Sequence, residues 1–157
     1  MFGKLNDEEM QEALHQQIYG HLGCNADGVT YVVPISYAYD GQSLYCHSGK
    51  GMKITMMQKN PEVCFQVDVM ESMANWKSVI LWGSFEVLPP GPDRDKAITV
   101  LLERHTPHPA SQTFQLSSEW PFTPEHLEAI GGLIFRIRIT RMTGRYERIS
   151  APAYHTA

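Results

Sequence analysis

The segment His47-Ser48-Gly49-Lys50-Gly51-Met52-Lys53 brings a histidine, a hydroxyl, two glycines and two lysines into one short stretch. Glycines let backbone amides turn toward a ligand, lysines supply full positive charge, and a helix beginning here adds the positive end of its dipole. That combination suits an anion, and a phosphate monoester in particular. It is not a P-loop, because no Gly-Lys pair is followed by Ser or Thr, and it lacks the third glycine of a dinucleotide fingerprint. A solvated turn has the same composition, so the loop alone leaves both readings open. Glu103, His105 and His108 have a metal-like spacing, but Pro107 prevents a regular helix through them and no further His or Cys lies close by. No metal site is expected. Neither a nucleophile elbow nor a Ser-His-Asp order is present, which gives hydrolase chemistry no support. Cys24, Cys46 and Cys64 fit neither a CxxC motif nor a disulfide framework and read as reduced, mostly buried thiols.

The elements around the loop follow from periodicity. Asn6 with Glu9 makes a capping box, and Met10, Ala13, Leu14 and Ile18 continue at helical spacing. A short strand is expected at His21–Cys24, then a turn at Asn25–Gly28 and a long strand from Val29 to Tyr39. Pro34 inside that strand has no amide to donate, so the strand is an edge there, is bulged, or is open to something other than a neighbouring strand. A ligand fits that gap. Asp40-Gly41 predicts a hairpin returning through Leu44–His47, so the charged loop joins a strand to a short helix, Met52–Gln58, that must stop by Asn60 ahead of Pro61. Strands at Val63–Val69 and Lys77–Leu88 follow. A helix starts at Asp93 after Pro89-Pro90-Gly91-Pro92, with Ala97, Val100 and Leu101 as its apolar stripe. Residues 105–124 read as an irregular excursion, a helix is expected from Thr123 or Pro124 to Ile130, and a last strand runs Leu133–Thr140 toward Gly144. About six hairpin-connected strands with peripheral helices predict an antiparallel barrel or sheet in one domain spanning 1–157.

Composition narrows the partners. With 157 residues, 43% hydrophobic and 19% charged, the chain can bury one substantial core. Its net charge of -4 is the wrong sign for a duplex nucleic-acid binder. The charged N-terminal stretch and the lack of a long apolar run predict a cytoplasmic protein with no membrane partner.

Four stretches then carry a resemblance: GHLGCNADGVTYVVPISYAYDG from Gly20, LYCHSGKGMK from Leu44, NPEVCFQVD from Asn60 and NWKSVILWGSFEVL from Asn75. In this order the chain resembles the pyridoxamine 5′-phosphate oxidase-like FMN-binding proteins, especially their nitroimidazole-resistance (Nim-type) branch, and TGRYER from Thr143 extends the likeness more loosely. The resemblance implies a mainly β (α+β) fold, the FMN-binding split β-barrel, dimerising to form two composite FMN sites. By position it implies that Val33, Pro34 and Ile35 pass along the isoalloxazine edge with backbone groups. His47, Ser48, Lys50 and Lys53 would surround the ribityl phosphate. Trp76, Lys77, Ser78 and Val79 would line the flavin pocket, and Arg145 would approach the phosphate or substrate side. It also implies an FMN-dependent oxidoreductase that takes reducing equivalents from a donor such as NAD(P)H and passes them to a small acceptor such as a nitroaromatic. Met52 stands where the family usually has a basic residue, and the arginine-rich C-terminal end of true pyridoxamine phosphate oxidases is missing, which disfavours vitamin B6 oxidation.

Plainer roles stand beside these. His47 either polarises a flavin oxygen or binds phosphate, or it caps backbone at a strand end. Lys77 either stabilises negative charge on a reduced flavin or is solvated surface. Trp76 and Trp82 wall the ring or fill packing, with packing favoured for Trp82. Two rival functions also remain: a haem-binding or haem-degrading split barrel in which a His ligates iron, and a non-catalytic flavin carrier.

Overall fold

The computed structural model describes residues 1–104 and 131–149. The excursion expected at 105–124, the helix expected to end at 130 and the pair His105 and His108 lie outside the described residues. The elements run β1 (Phe2–Lys4), α1 (Asp7–Gln16), β2 (Tyr19–Ala26), β3 (Val29–Ser36), β4 (Ala38–Tyr39), β5 (Ser43–Ser48), α2 (Met52–Lys59), β6 (Glu62–Ser72), β7 (Asn75–Val87), α3 (Pro92–Glu103) and β8 (Leu133–Glu147). Each ladder is antiparallel, in the order β3-β2-β6-β7-β8-β5-β4, with β1 added to β8.

The two outermost strands of that order, β3 and β4, are consecutive in the chain with Tyr37 alone between them. A sheet whose opposite edges are joined by one residue must curl back on itself. The result is an antiparallel barrel that is not fully closed, the split β-barrel that the family resemblance implies. The Val29–Tyr39 run reads as one strand because its alternation continues through Tyr37, but the chain changes edge there. Tyr37 is 1% exposed, its amide donates to Ile18 O at 2.9 Å, and its hydroxyl donates to Leu14 O at 2.6 Å. Leu14 lies in the last turn of α1, where carbonyls lack intrahelical donors, so the phenol completes that helix end.

Local chemistry explains the other joints. Asn6 and Glu9 form the capping box at the start of α1. Asp27 and Gly28 both take positive φ, 53° and 76°, as a two-residue hairpin turn requires. The Asp40 carboxylate accepts from the amides of Gln42 at 2.8 Å and Ser43 at 2.7 Å, and Gly41 takes φ 96°, which makes the β4–β5 turn. α2 ends at Asn60, directly before Pro61.

β8, 15 residues long, is the longest strand among the described residues. It pairs with β7 along one side and with β5 and then β1 along the other. Its register to β7 shifts between Trp82 and Gly83, leaving Thr140 as the extra residue of a bulge. A Cβ on Gly83 would run into Arg138 O, so the close approach at that bend needs glycine.

The interior is filled by Leu22, Leu44, Phe65, Val79, Leu81, Phe135 and Ile137, among others. α1 packs over the barrel end near β6, β7 and β8, and α2 lies against β2. A second cluster, with Tyr45, Leu88, Ala97, Ile98, Leu101 and Ile134, seats α3 on the outside of β5 and β8. No helix among the described residues is long and apolar enough to cross a membrane.

Candidate functional site

The charged loop sits where the sequence places it, between β5 and α2. Lys50 is exposed and Lys53 half-buried, and a Cβ on Gly49 or Gly51 would meet only open space, so the loop surface is accessible. Gly51 occupies the N-cap of α2 and offers no side-chain acceptor to the first-turn amides. Those donors and the two ammonium groups point to the same use, anion binding at a helix start.

His47 and Ser48 stand differently from the two lysines. Neighbours on a strand face opposite sides of the sheet. His47 lies 8% exposed, and its Nε2–H donates to Gly131 O at 2.5 Å. A Cβ on Gly132 would crowd both Ser48 O and His47 Nε2, and Gly132 has φ 75°, so this junction is fitted to glycine. Ser48 is 1% exposed and its Oγ donates to Gly49 O at 2.9 Å. Both side chains therefore brace the strand end beneath the loop.

The remaining sequence-predicted residues sort by strand parity. Val33, Ile35, Val79 and Lys77 share the inward parity of Leu22, Phe65 and Leu81. Ile35 and Val79 are core, with exposures of 2% and 0%, so each offers a ligand backbone only. Pro34, Trp76, Ser78 and Arg145 share the outward parity. Pro34 is on an edge strand, one of the arrangements its missing amide allows, and is the register partner of His21. The outer face forms rows across the strands: Phe2, Glu147, Trp76 and Met70; then Lys4, Arg145, Ser78 and Asp68; then Thr143, Ile80, Gln66, His21 and Pro34; then Arg141, Trp82, Cys64, Gly23 and Val32. Phe2, Met70, Val32 and Trp82 are exposed there, and Arg141 stacks over the Trp82 ring at 4.9 Å. Lys4, Gln66 and Ile80 are members of this face that the sequence reading misses. Alternation along β6 and β7 marks the last two, but nothing local marks Lys4.

Lys77 points to the barrel mouth under α1, where a cleft of about 290 Å³ is lined by Glu12, Gln16, Trp76, Lys77, Glu147 and Arg148, among others. Trp76 Nε1 donates to Glu147 Oε2 at 3.0 Å, which fixes the indole at its rim. Leu133, the register partner of Ser48, and Arg145, the partner of Ser78, lie near opposite ends of β8. At about 3.3 Å per residue, on the order of 40 Å of strand separates them. Trp76, Ser78 and Arg145 therefore stand far from the Lys50–Lys53 loop in one chain, whereas Val33, Pro34 and Ile35 run directly into the β4 segment that pairs with β5 and lie beside the strand that carries the loop.

The thiols have no reactive setting. All three cysteines are free, with Cys24 and Cys46 buried and Cys64 half-buried. Burial pushes the Cys46 thiol up to about 12, against the opposing charges of Arg104 and Lys53. It is protonated at neutral pH and is no nucleophile. Among the described residues no group of three or more His, Cys, Asp or Glu is arranged to hold a metal ion.

Comparison with known proteins gives the chain its family. A solved structure of an FAD-binding protein from Mesorhizobium loti is 32% identical, covers 93% of this chain and 98% of its own, and superposes with a TM-score of 0.70. A Bacteroides thetaiotaomicron protein assigned to 5-nitroimidazole antibiotic resistance shares the fold at 19% identity, with 93% and 87% of the two chains covered and a TM-score of 0.68. An uncharacterised protein of Rhizobium meliloti is 39% identical over 85 residues, which are 54% of this chain and about half, 56%, of that relative's length. The sequence model described as pyridoxamine 5′-phosphate oxidase matches residues 6–146, and the chain belongs to that family.

Proposed function

We propose that this chain is a cytoplasmic FMN-binding oxidoreductase that passes reducing equivalents from a donor such as NAD(P)H to a small acceptor, with a nitroaromatic compound the first to test. The observation that carries the reading is the accessible Lys50–Lys53 loop at the uncapped start of α2, in a chain 32% identical to an FAD-binding protein. These residues fit a flavin phosphate. Lys50, Lys53 and the first α2 amides hold it by charge and hydrogen bonds, while His47 and Ser48 keep the strand end in place. Pro34, Trp76, Ser78 and Arg145, with backbone from Val33, Ile35 and Val79, form the surface for the ring. Lys77 supplies positive charge at the barrel mouth that favours the reduced ring. A flavin supplies the electron-transfer chemistry when bound.

The loop and the Trp76, Ser78 and Arg145 part of the ring surface lie near opposite ends of β8, so one flavin engages both only when each comes from a different copy of the chain, while Val33, Pro34 and Ile35 stand beside the loop in the same copy. A homodimer with composite sites satisfies this, and the exposed Val32, Trp82, Met70 and Phe2 favour a second copy on the outer face.

The test is to incubate the purified chain with FMN, FAD or haemin, desalt it and record the visible spectrum. One retained FMN per chain is expected, with Lys53→Ala weakening it at least about tenfold while the far-ultraviolet circular dichroism is unchanged. Retention of haemin alone, or equal FMN affinity in Lys53→Ala, overturns the reading. Steady-state reduction of a nitroaromatic by NAD(P)H then separates an enzyme from a flavin carrier.

A further inference from the structure

Three strands distant in sequence set donors side by side at one end of the outer face. Lys4 of β1 is the register partner of Arg145 of β8, which is the partner of Ser78 of β7. Register partners in an antiparallel ladder project to one face with Cβ atoms about 5 Å apart. Lys4 and Arg145 are both exposed, and neither takes part in an ion pair among the described residues. Like charges placed directly opposite destabilise a sheet, so this row carries a repulsion that an anion would remove.

The row also holds an acid, Asp68, the register partner of Ser78, and Glu147 stands one row away. Glu147 accepts from Trp76 Nε1, and Asp68 accepts from Gln66 Nε2 at 3.3 Å. A carboxylate only accepts, so the Gln66 nitrogen facing it is the amide donor, and the same nitrogen donates to Ser78 Oγ at 3.1 Å. Ser78 keeps its own hydroxyl proton to give, and the described residues offer it no acceptor.

We infer that Lys4, Arg145 and Ser78 form a second oxyanion site, separate from the Lys50–Lys53 loop. The row spans roughly 10 Å across three strands. That width suits a diphosphate with donors at both ends better than a single phosphate, so the ligand class is a dinucleotide with a pyrophosphate bridge. Either the flavin or the nicotinamide donor can bring that group. The oxyanion site stands on the geometry of this row, and only the ligand's identity rests on the proposed redox function.

Inorganic pyrophosphate is the probe, titrated into the full chain with Trp76, one row away, as the fluorescence reporter. We expect Lys4→Gln and Arg145→Gln each to weaken binding about tenfold and the double variant to lose it. Pyrophosphate should raise the melting temperature of the parent but not of the double variant, and without ligand the single variants should melt no lower than the parent. A merely structural pair would lower the unliganded melting temperature. FAD weakened in the double variant by at least about tenfold more than FMN assigns the site to the flavin, whereas a raised KM for NADH with FAD weakened no more than FMN assigns it to the donor. An effect on neither overturns the dinucleotide assignment. Equal pyrophosphate affinity in parent and double variant, or none in the parent, overturns the site itself. A parent that retains no flavin but binds pyrophosphate through Lys4 and Arg145 refutes the flavin reading and leaves this one standing.

Discussion

Replacing Tyr37 by Phe isolates one hydrogen bond at the corner where the chain passes from one edge of the barrel to the other. The ring is 1% exposed and meets Phe65 edge-on at 5.4 Å, and a phenylalanine keeps both the burial and that contact. What is lost is the phenol donor to Leu14 O, leaving a buried helix-end carbonyl without it. An orphaned buried acceptor costs about 1–3 kcal/mol. In a protein of this size each kcal/mol moves the melting temperature by about 2–4 °C, so Tyr37→Phe should melt roughly 2–12 °C lower. The same group gives a pH signature. Burial, and after it the neighbouring Cys46, raises the Tyr37 pKa well above its ordinary 10. Its contribution is therefore fully present below the unfolded tyrosine's pKa and is lost as pH climbs past about 10, where only the unfolded phenol ionises. Urea unfolding at pH 7 and pH 10.5 should show the variant less stable at pH 7 and less alkali-sensitive than the parent. A variant within about 0.3 kcal/mol of the parent at pH 7 would mean the carbonyl finds another donor and would refute the argument.

Asp40 gives the acid counterpart: burial favours its neutral form, but the Ser43 and Gln42 amides with Tyr45 and Lys96 outweigh it and lower the pKa. Its stabilisation is present above about pH 4 and lost as pH falls through the lowered value, so Asp40→Asn should be less stable at pH 7 by about 1–2 kcal/mol, with a urea midpoint that changes less between pH 6 and pH 3 than the parent's. Gly83→Ala should destabilise by about 1–3 kcal/mol in chemical denaturation because backbone at Arg138 blocks a Cβ, whereas Gly49→Ala, facing open space, should be near neutral. Cys46 should resist a maleimide at pH 7.5 until denaturant is added, as mass spectrometry of the labelled peptides can show.

Much of the fold is legible in local chemistry. Asn6 with Glu9, Asn25–Gly28, Asp40-Gly41 and Pro61 each mark a boundary that the structure keeps, because caps and turns are decided by adjacent residues. What escapes reading is decided at a distance. β1 is a three-residue strand whose pairing is set wholly by β8, so Lys4 gives no sign of standing opposite Arg145. Tyr37 continues the strand alternation, and only its bonds to Ile18 and Leu14 show that it is a corner. The site is legible in part. Glycine and charge mark the lysines at the start of α2, which the structure leaves accessible, yet His47 and Ser48, adjacent to them, turn to Gly131 and Gly49. The resemblance groups Trp76, Lys77, Ser78 and Val79 by position, whereas a strand necessarily sends them alternately outward and inward.

The placement of β8 bears on how the chain is made. β5 and β7 emerge from the ribosome long before their common partner, and β1 waits longest of all. Until the last strand is released, each presents unpaired backbone, and a nascent chain in that state can pair with itself wrongly or with another molecule. Such long-range closure is slow to form. Release of β8 from the ribosome, rather than completion of any earlier hairpin, is then the event that commits the barrel to fold, and yield in a cell should respond to chaperone supply.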